Sequence, residues 1–380
     1  MIILDLDATE HPQYERLENY FGQPFIFNML DNFGGNLGLY GRVQDVIRGP
    51  VQARQRAPNM VGTGLTPEGI FTNYVMYDLM CEMGWSTADM ITIETIDDWF
   101  TMFGTRRYGL DSEQAVAGLI LLSHTVYNCT VANYHDHNIL MTNIPTLHAT
   151  DYTWYSLHTI VASLQLLLQS SLSLAIIPTY QYDVADLTRQ YLVNLAPVFY
   201  TRAVAGYHLG QPEIVAENKL LFLELTQDLD TVLSTQAGLL YGRWLESAGR
   251  MADDPEEKRL YELNACNQVT LWGPDGQILD YGAKQWAGLV SHYYARRWEL
   301  FFDTLILNIV QGRIIIEEDT FLLIITGQSF SQEEFFQDFL ETIGRQFCTN
   351  NTKQFPVEPS GDIVYLSREI LQKWNTFDNS

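Results

Sequence analysis

Val61-Gly62-Thr63-Gly64-Leu65-Thr66-Pro67-Glu68-Gly69-Ile70 is an apolar run that passes through two glycines and ends on a proline followed by one acid. Pro67 fixes its own φ and stiffens the chain just before Glu68, and Gly69 leaves room for a close approach. A strand that ends by projecting one carboxylate into a cleft has this form, and acids placed there do glycosidic chemistry. The same residues also fit a surface turn whose Glu68 caps the following helix through its dipole.

Met60 to Leu65 is the third of three strand candidates. The first is Ile2 to Leu6, followed by a helical stretch around Tyr14 to Tyr20. The second is Pro24 to Leu30, set between Gly22 and the loop Asn32-Phe33-Gly34-Gly35-Asn36. Spacings of about twenty to thirty-five residues between strands suit βα units of a parallel sheet. Three units cannot close a (β/α)₈ barrel, which needs eight and about 250 residues. Beyond about residue 90 the period becomes helical. Tyr155, His158, Val161, Leu164 and Leu168 share one helix face, and Leu366, Ile370 and Trp374 repeat the rule. Ser331-Gln332-Glu333-Glu334 reads as a capping box opening onto Phe335, Phe336, Phe339, Leu340 and Ile343. The fold class is therefore α/β followed by all-α, with the change at the loop around Ser86 to Asp89. The division expected is 1–88 and 89–380.

The 380 residues are 47% apolar and 18% charged, which describes a folded chain with a sizeable core. The formal net charge is -24, from 46 acids against 22 Lys and Arg. Such a surface repels phosphate backbones and anionic lipid, so neither nucleic acid nor membrane is an expected partner. The apolar stretches Leu164 to Tyr180 and Leu305 to Thr326 are interrupted by polar and charged residues and read as buried elements, not membrane spans. Met1 leads straight into the first strand with no basic, apolar and small-residue succession, so no signal peptide is visible and the chain reads as truncated.

Few residues carry chemistry. Cys81, Cys129, Cys266 and Cys348 lack metal-type spacing, so no metal or other cofactor is expected. Asn128 and Asn350 head N-x-Thr sequons. His137, in Tyr134-His135-Asp136-His137-Asn138, suits a hydrogen bond to a polar ligand or plain solvent exposure. Aromatic residues make up 13% of the chain, and a pyranose packs its C–H face on a flat ring. Trp272-Gly273-Pro274-Asp275-Gly276 is a tight turn with Trp272 at its start and Ile278 and Tyr281 just beyond. An aromatic residue there is either a ligand platform or a lid over the core.

An ordered set of runs then resembles glycoside hydrolase family 89, the alpha-N-acetylglucosaminidases, in its carboxyl-terminal portion. They begin with Gly22-Gln23-Pro24-Phe25-Ile26 and Asn32-Phe33-Gly34-Gly35-Asn36-Leu37-Gly38-Leu39-Tyr40-Gly41. Val61 to Gly64, Pro67-Glu68-Gly69-Ile70, Glu82-Met83-Gly84-Trp85, Val126-Tyr127-Asn128-Cys129 and His137-Asn138 follow. Asp186-Leu187-Thr188-Arg189-Gln190, Thr270-Leu271-Trp272-Gly273-Pro274 and Lys284-Gln285-Trp286-Ala287-Gly288-Leu289-Val290 through Arg297-Trp298 complete the set.

The resemblance implies the last βα units of a (β/α)₈ barrel, followed by a large helical domain that contributes to a sugar pocket. It implies a retaining hydrolase that releases terminal alpha-linked N-acetylglucosamine, as in heparan sulfate breakdown, with a GlcNAc-terminated glycan as partner. Glu68 takes the place of the nucleophile. Phe27, Leu30, Asn32, Phe33, His137, Trp272, Ile278 and Tyr281 take substrate-binding places. It also implies a lysosomal or secreted glycoprotein, and leaves room for a homo-oligomer. The family's acid/base glutamate belongs to an earlier strand that these residues do not include, so the isolated chain is expected to be inactive. Phe27 replaces a usual tryptophan, and Tyr134 stands where Cys129 would find a nearby cysteine partner. The alternative is a catalytically inactive carbohydrate-binding or structural protein.

Overall fold

The computed structural model describes residues 1–31, 34, 38–68, 74–86, 91–131, 140–148, 153–273, 278–314, 343–349 and 354–377. The chain folds as two compact units, one comprising Met1–His137 with Thr153–Leu187 and the other Asn138–Tyr152 with Thr188–Ser380.

In the first unit, β1 (Ile3–Asp5), β2 (Phe25–Met29) and β3 (Met60–Leu65) form one parallel sheet in the order β1-β2-β3. The strand read from Met60 to Leu65 has those bounds. Its two glycines differ in purpose. A Cβ on Gly64 would fall 2.1 Å from the Asn28 side-chain oxygen, whereas one on Gly62 would meet nothing within 4 Å. The helix α2 (Val43–Arg56) joins β2 to β3 and buries Val46, Ile47, Pro50 and Ala53. It closes on β2 at Gly49, where an added Cβ would lie 2.7 Å from the Phe27 ring.

The helix expected from Tyr14 to Tyr20 is cut short. α1 covers only Gln13–Arg16, and Glu18, Asn19, Tyr20 and Phe21 then take left-handed φ values of 48° to 52°. Long-range bonds explain the break. The Asp5 carboxylate accepts the N–H groups of Gln13 and Tyr14 at 3.0 and 3.1 Å, which fixes where α1 starts. Asn19 is tied from both sides, donating to the Arg56 carbonyl at 3.2 Å and accepting from Asn59 at 2.8 Å.

The other described elements of this unit are helices: α3 (Tyr74–Met83), α4 (Ile96–Tyr108), α5 (Glu113–His124), α6 (Leu157–Gln169), α7 (Ser171–Leu174) and the start of α8 (Pro178–His208). The buried face of α6 is Ile160, Ser163, Leu164, Leu167 and Leu168, not the face expected through His158 and Val161. Tyr155 precedes the Ser156 cap, and His158 is exposed. The contact with α5 sets the rotation, because a Cβ on Gly118 would come within 2.7 Å of Leu167 and 3.1 Å of the Ser163 carbonyl. Arg107 of α4 grips Asp183 of α8 through two bonds of 2.5 and 2.6 Å, and Tyr108 adds a third at 2.9 Å.

The second unit holds the remainder of α8 with α9 (Pro212–Leu233), α10 (Tyr241–Gly249), α11 (Pro255–Gln268), α12 (Ala295–Val310) and α13 (Ile363–Trp374). Phe222 of α9 packs on Trp298 and Phe302 of α12 with centroids 4.9 and 5.3 Å apart. Thr188 and Ser367 share a buried hydrogen bond of 2.7 Å. Ile370 and Trp374 of the expected carboxyl-terminal stripe are buried, with Leu366 half-buried. A disulfide joins Cys266 to Cys348, a pairing the spacing did not reveal. The capping box at Ser331 lies outside the described residues. No helix among the described residues is long and apolar enough to cross a membrane.

Candidate active site

In a parallel sheet, functional groups collect past the carboxyl ends of the strands. Each strand here delivers an acid there. Glu10 follows β1, Asp31 follows β2 and Glu68 follows β3. Thr66 pins the end of β3: its N–H donates to the Met29 carbonyl at 3.0 Å. Its hydroxyl lies 2.7 Å from the Leu6 carbonyl and 3.1 Å from that of Met29, sharing one proton between the ends of β1 and β2. Glu68 stands exposed two residues further on and accepts the Gly34 N–H at 3.1 Å. Gly34 has φ +62°, a conformation that favours glycine.

Glu10 and Asp31 were not singled out by sequence reasoning, because a lone acid after a short strand looks like an ordinary turn residue. Glu10 is nearly buried and takes Arg42 at 3.4 Å and the Tyr40 hydroxyl at 3.3 Å. Arg42 also bonds Asp45 at 2.6 Å and the Val131 carbonyl at 2.7 Å. Asp31 is 6% exposed, and its carboxyl makes no hydrogen bond among the described residues. Burial pushes that carboxyl well above the usual carboxylate range, and the nearby Glu10 charge pushes the same way.

Of the other expected residues in this unit, Phe27 is 1% exposed and packs beside Tyr14 and Gly49, on the α2 side of β2. Leu30 is buried. Asn128 is half-buried, and its side-chain oxygen accepts from Gln44 at 3.0 Å. Asn32, Phe33, His137 and Asn350 lie outside the described residues.

The second unit brings Trp272, Ile278 and Tyr281 onto one turn. The Trp272 N–H donates to Asn267 at 2.6 Å, Asp280 to Thr270 at 2.7 Å and Tyr281 to Ile278 at 3.0 Å. The Trp272 and Tyr281 rings lie edge to face, 5.3 Å apart, both half-buried, with Ile278 exposed. Trp272 and Asp280 have φ values of +46° and +59°, which side-chain-bearing residues rarely adopt. Gly282 seats the indole, since a Cβ there would meet the Trp272 ring at 3.0 Å and the Gln268 carbonyl at 2.3 Å. Buried Arg297 holds the turn from beneath: it bonds Asp280 and the Thr142 carbonyl, the latter at 3.0 Å. The Tyr293 hydroxyl adds a 2.9 Å bond to Asp280. A π-helical turn, Val290–Tyr294, places the rings of Tyr293 and Tyr294 within 4.7 and 4.9 Å of that guanidinium.

A parallel sheet with acids at its carboxyl edge, continuing into a helical half, is the end of an α/β barrel joined to an all-α domain. Residues 1–87 match the alpha-N-acetylglucosaminidase tim-barrel domain, and residues 99–373 match the alpha-N-acetylglucosaminidase C-terminal domain. The chain is 38% identical to alpha-N-acetylglucosaminidase of Homo sapiens over 378 residues, covering 98% of this chain and 48% of that protein. Its fold is similar to a family 89 glycoside hydrolase of Clostridium perfringens, solved as a doubly glutamate-to-glutamine variant with its substrate GlcNAc-alpha-1,4-galactose. That likeness has a TM-score of 0.82 at 26% identity and covers 98% of this chain and 41% of the other. The same enzyme bound to 2-acetamido-1,2-dideoxynojirmycin gives 0.81. The chain belongs to the alpha-N-acetylglucosaminidase family, glycoside hydrolase family 89. It spans about half the length of the relatives it matches.

Proposed function

We propose that this chain is the part of a retaining glycosidase that carries the nucleophile and the helical domain, acting on terminal alpha-linked N-acetylglucosamine. Glu68 is the nucleophile. Its position past β3, with the carboxylate oriented by the Gly34 N–H, is the observation that carries the reading. The carboxylate attacks the anomeric carbon as the glycosidic bond breaks, giving a covalent glycosyl-enzyme. The departing oxygen takes a proton from a second carboxyl group, about 5 Å from the first in retaining enzymes. We place that acid/base on a barrel strand outside these 380 residues. Water then attacks the intermediate with the acid/base now accepting its proton, and the original configuration returns.

Trp272 and Tyr281 supply an aromatic face for a pyranose ring, with Asp280 and Arg297 fixing their turn. The substrate is a GlcNAc-terminated glycan of the heparan sulfate kind, in a lysosomal or secreted setting, and the domain division is 1–88 and 89–380. Support comes from the family and from the substrate complex of the bacterial relative. The test is turnover of a chromogenic alpha-GlcNAc glycoside by a form that includes the remaining barrel strands. Glu68→Ala should remove that turnover, and a mild effect would exclude Glu68 as nucleophile.

A further inference from the structure

Asp31 has a burial that Glu68 lacks and a freedom that Glu10 lacks. It is 94% shielded from solvent (6% exposed), yet no hydrogen bond satisfies its carboxyl among the described residues. A carboxyl that the described residues leave without a partner, on the loop that also positions Glu68, is a place where a ligand can complete the set. Its place in the chain is specific: two residues past β2, just ahead of Gly34, whose N–H holds Glu68. The groups around it are Glu10, Tyr40 and Tyr127, with Arg42 spent on Glu10, Asp45 and Val131. None of these neutralises Asp31.

We propose that Asp31 is a further sugar-binding residue of this site, donating a hydrogen bond from its carboxyl group to a hydroxyl or ring oxygen of the glycan held at Glu68. The inference rests on the glycosidase reading above and adds to it a residue that confers pH dependence on recognition. Burial together with the Glu10 charge keeps the proton on Asp31 above the pH at which an ordinary aspartate loses it. A neutral carboxyl is a donor, and an ionised one is an acceptor only. Recognition therefore weakens as pH rises through the titration of Asp31.

The experiment measures inhibition by 2-acetamido-1,2-dideoxynojirmycin, a ligand of the bacterial relative, in the active form used for the Glu68 test. Wild type, Asp31→Asn and Asp31→Leu are compared from about pH 4 to about pH 8, a window spanning ordinary and raised carboxyl pKa values. The expected result is affinity about fivefold to tenfold weaker in Asp31→Leu, the worth of one neutral hydrogen bond. The wild-type fall in affinity with rising pH should flatten in Asp31→Asn, whose isosteric amide keeps a donor at every pH. The proposal is overturned by Asp31→Leu binding the probe as wild type does, or by Asp31→Asn keeping the wild-type pH profile. Either result leaves the Glu68 assignment standing. Wild type binding no probe at any pH would instead remove the glycosidase reading and this inference with it.

Discussion

The Gly34 N–H donates to the Glu68 carboxylate at 3.1 Å, linking the loop after β2 to the loop after β3. That backbone donor helps to hold the carboxylate in one orientation on the exposed lip of the sheet. Gly34 makes that bond from φ +62°, where an added Cβ is strained. Gly34→Ala should cost about 1 kcal/mol of stability and lower kcat more than it raises KM. Urea unfolding with steady-state kinetics checks both, and an unaltered kcat would mean that the bond does not orient the acid.

Arg297 and Asp280 pair beneath the Trp272 turn, with the arginine side chain only 1% exposed. Removing one partner of such a pair strands the other charge, at a typical cost of about 3–5 kcal/mol. Arg297→Met should therefore destabilise strongly, and the quenching of Trp272 fluorescence by a soluble quencher should rise as its turn loosens. A loss under 1 kcal/mol, by the same yardstick, would show that the turn stands without the pair.

Cys266 and Cys348 close a loop of 82 residues in the second unit. In the chain-entropy account a loop of that size is worth about 4–5 kcal/mol. Unfolding with and without reductant, followed by a Cys266→Ser and Cys348→Ser double variant, should show a drop of that order. Coincident curves would place the two sulfurs outside the stability of the unit.

Burial lowers the ammonium pKa of Lys284 from 10.5 to about 8. The folded state thus binds fewer protons than the unfolded chain between those values, so this residue makes stability rise with pH across that window. Below about pH 8 the full penalty of charging it is present. Lys284→Met should remove this rise, which a series of melts from pH 7 to pH 11 will reveal. A rise of equal size in both proteins would assign it to other groups.

The legible parts of the sequence are those in which local pattern and tertiary demand coincide. Met60 to Leu65 is a short apolar run through two glycines and forms a strand with those bounds. Trp272 stands beside Gly273 and Pro274, and the structure puts it on a turn against Tyr281. What stayed hidden depends on partners far along the chain. Nothing local in Glu18 to Phe21 announces a left-handed turn, which Asn59 and Arg56 impose from about forty residues away. The rotation of α6 follows from Gly118 on another helix, and the Cys266–Cys348 pairing from helix packing. Asp31 shows its character only through burial and the lack of a partner, neither of which a sequence displays.

The most direct test of the account is the fate of an activated alpha-GlcNAc substrate on Glu68→Ala in a form carrying the remaining barrel strands. Turnover should fall by at least about a thousandfold, with partial rescue by azide and a glycosyl azide of the opposite anomeric configuration as product. Wild-type-like hydrolysis by Glu68→Ala, or azide giving no rescue and no such product, would contradict the assignment of Glu68 as the nucleophile.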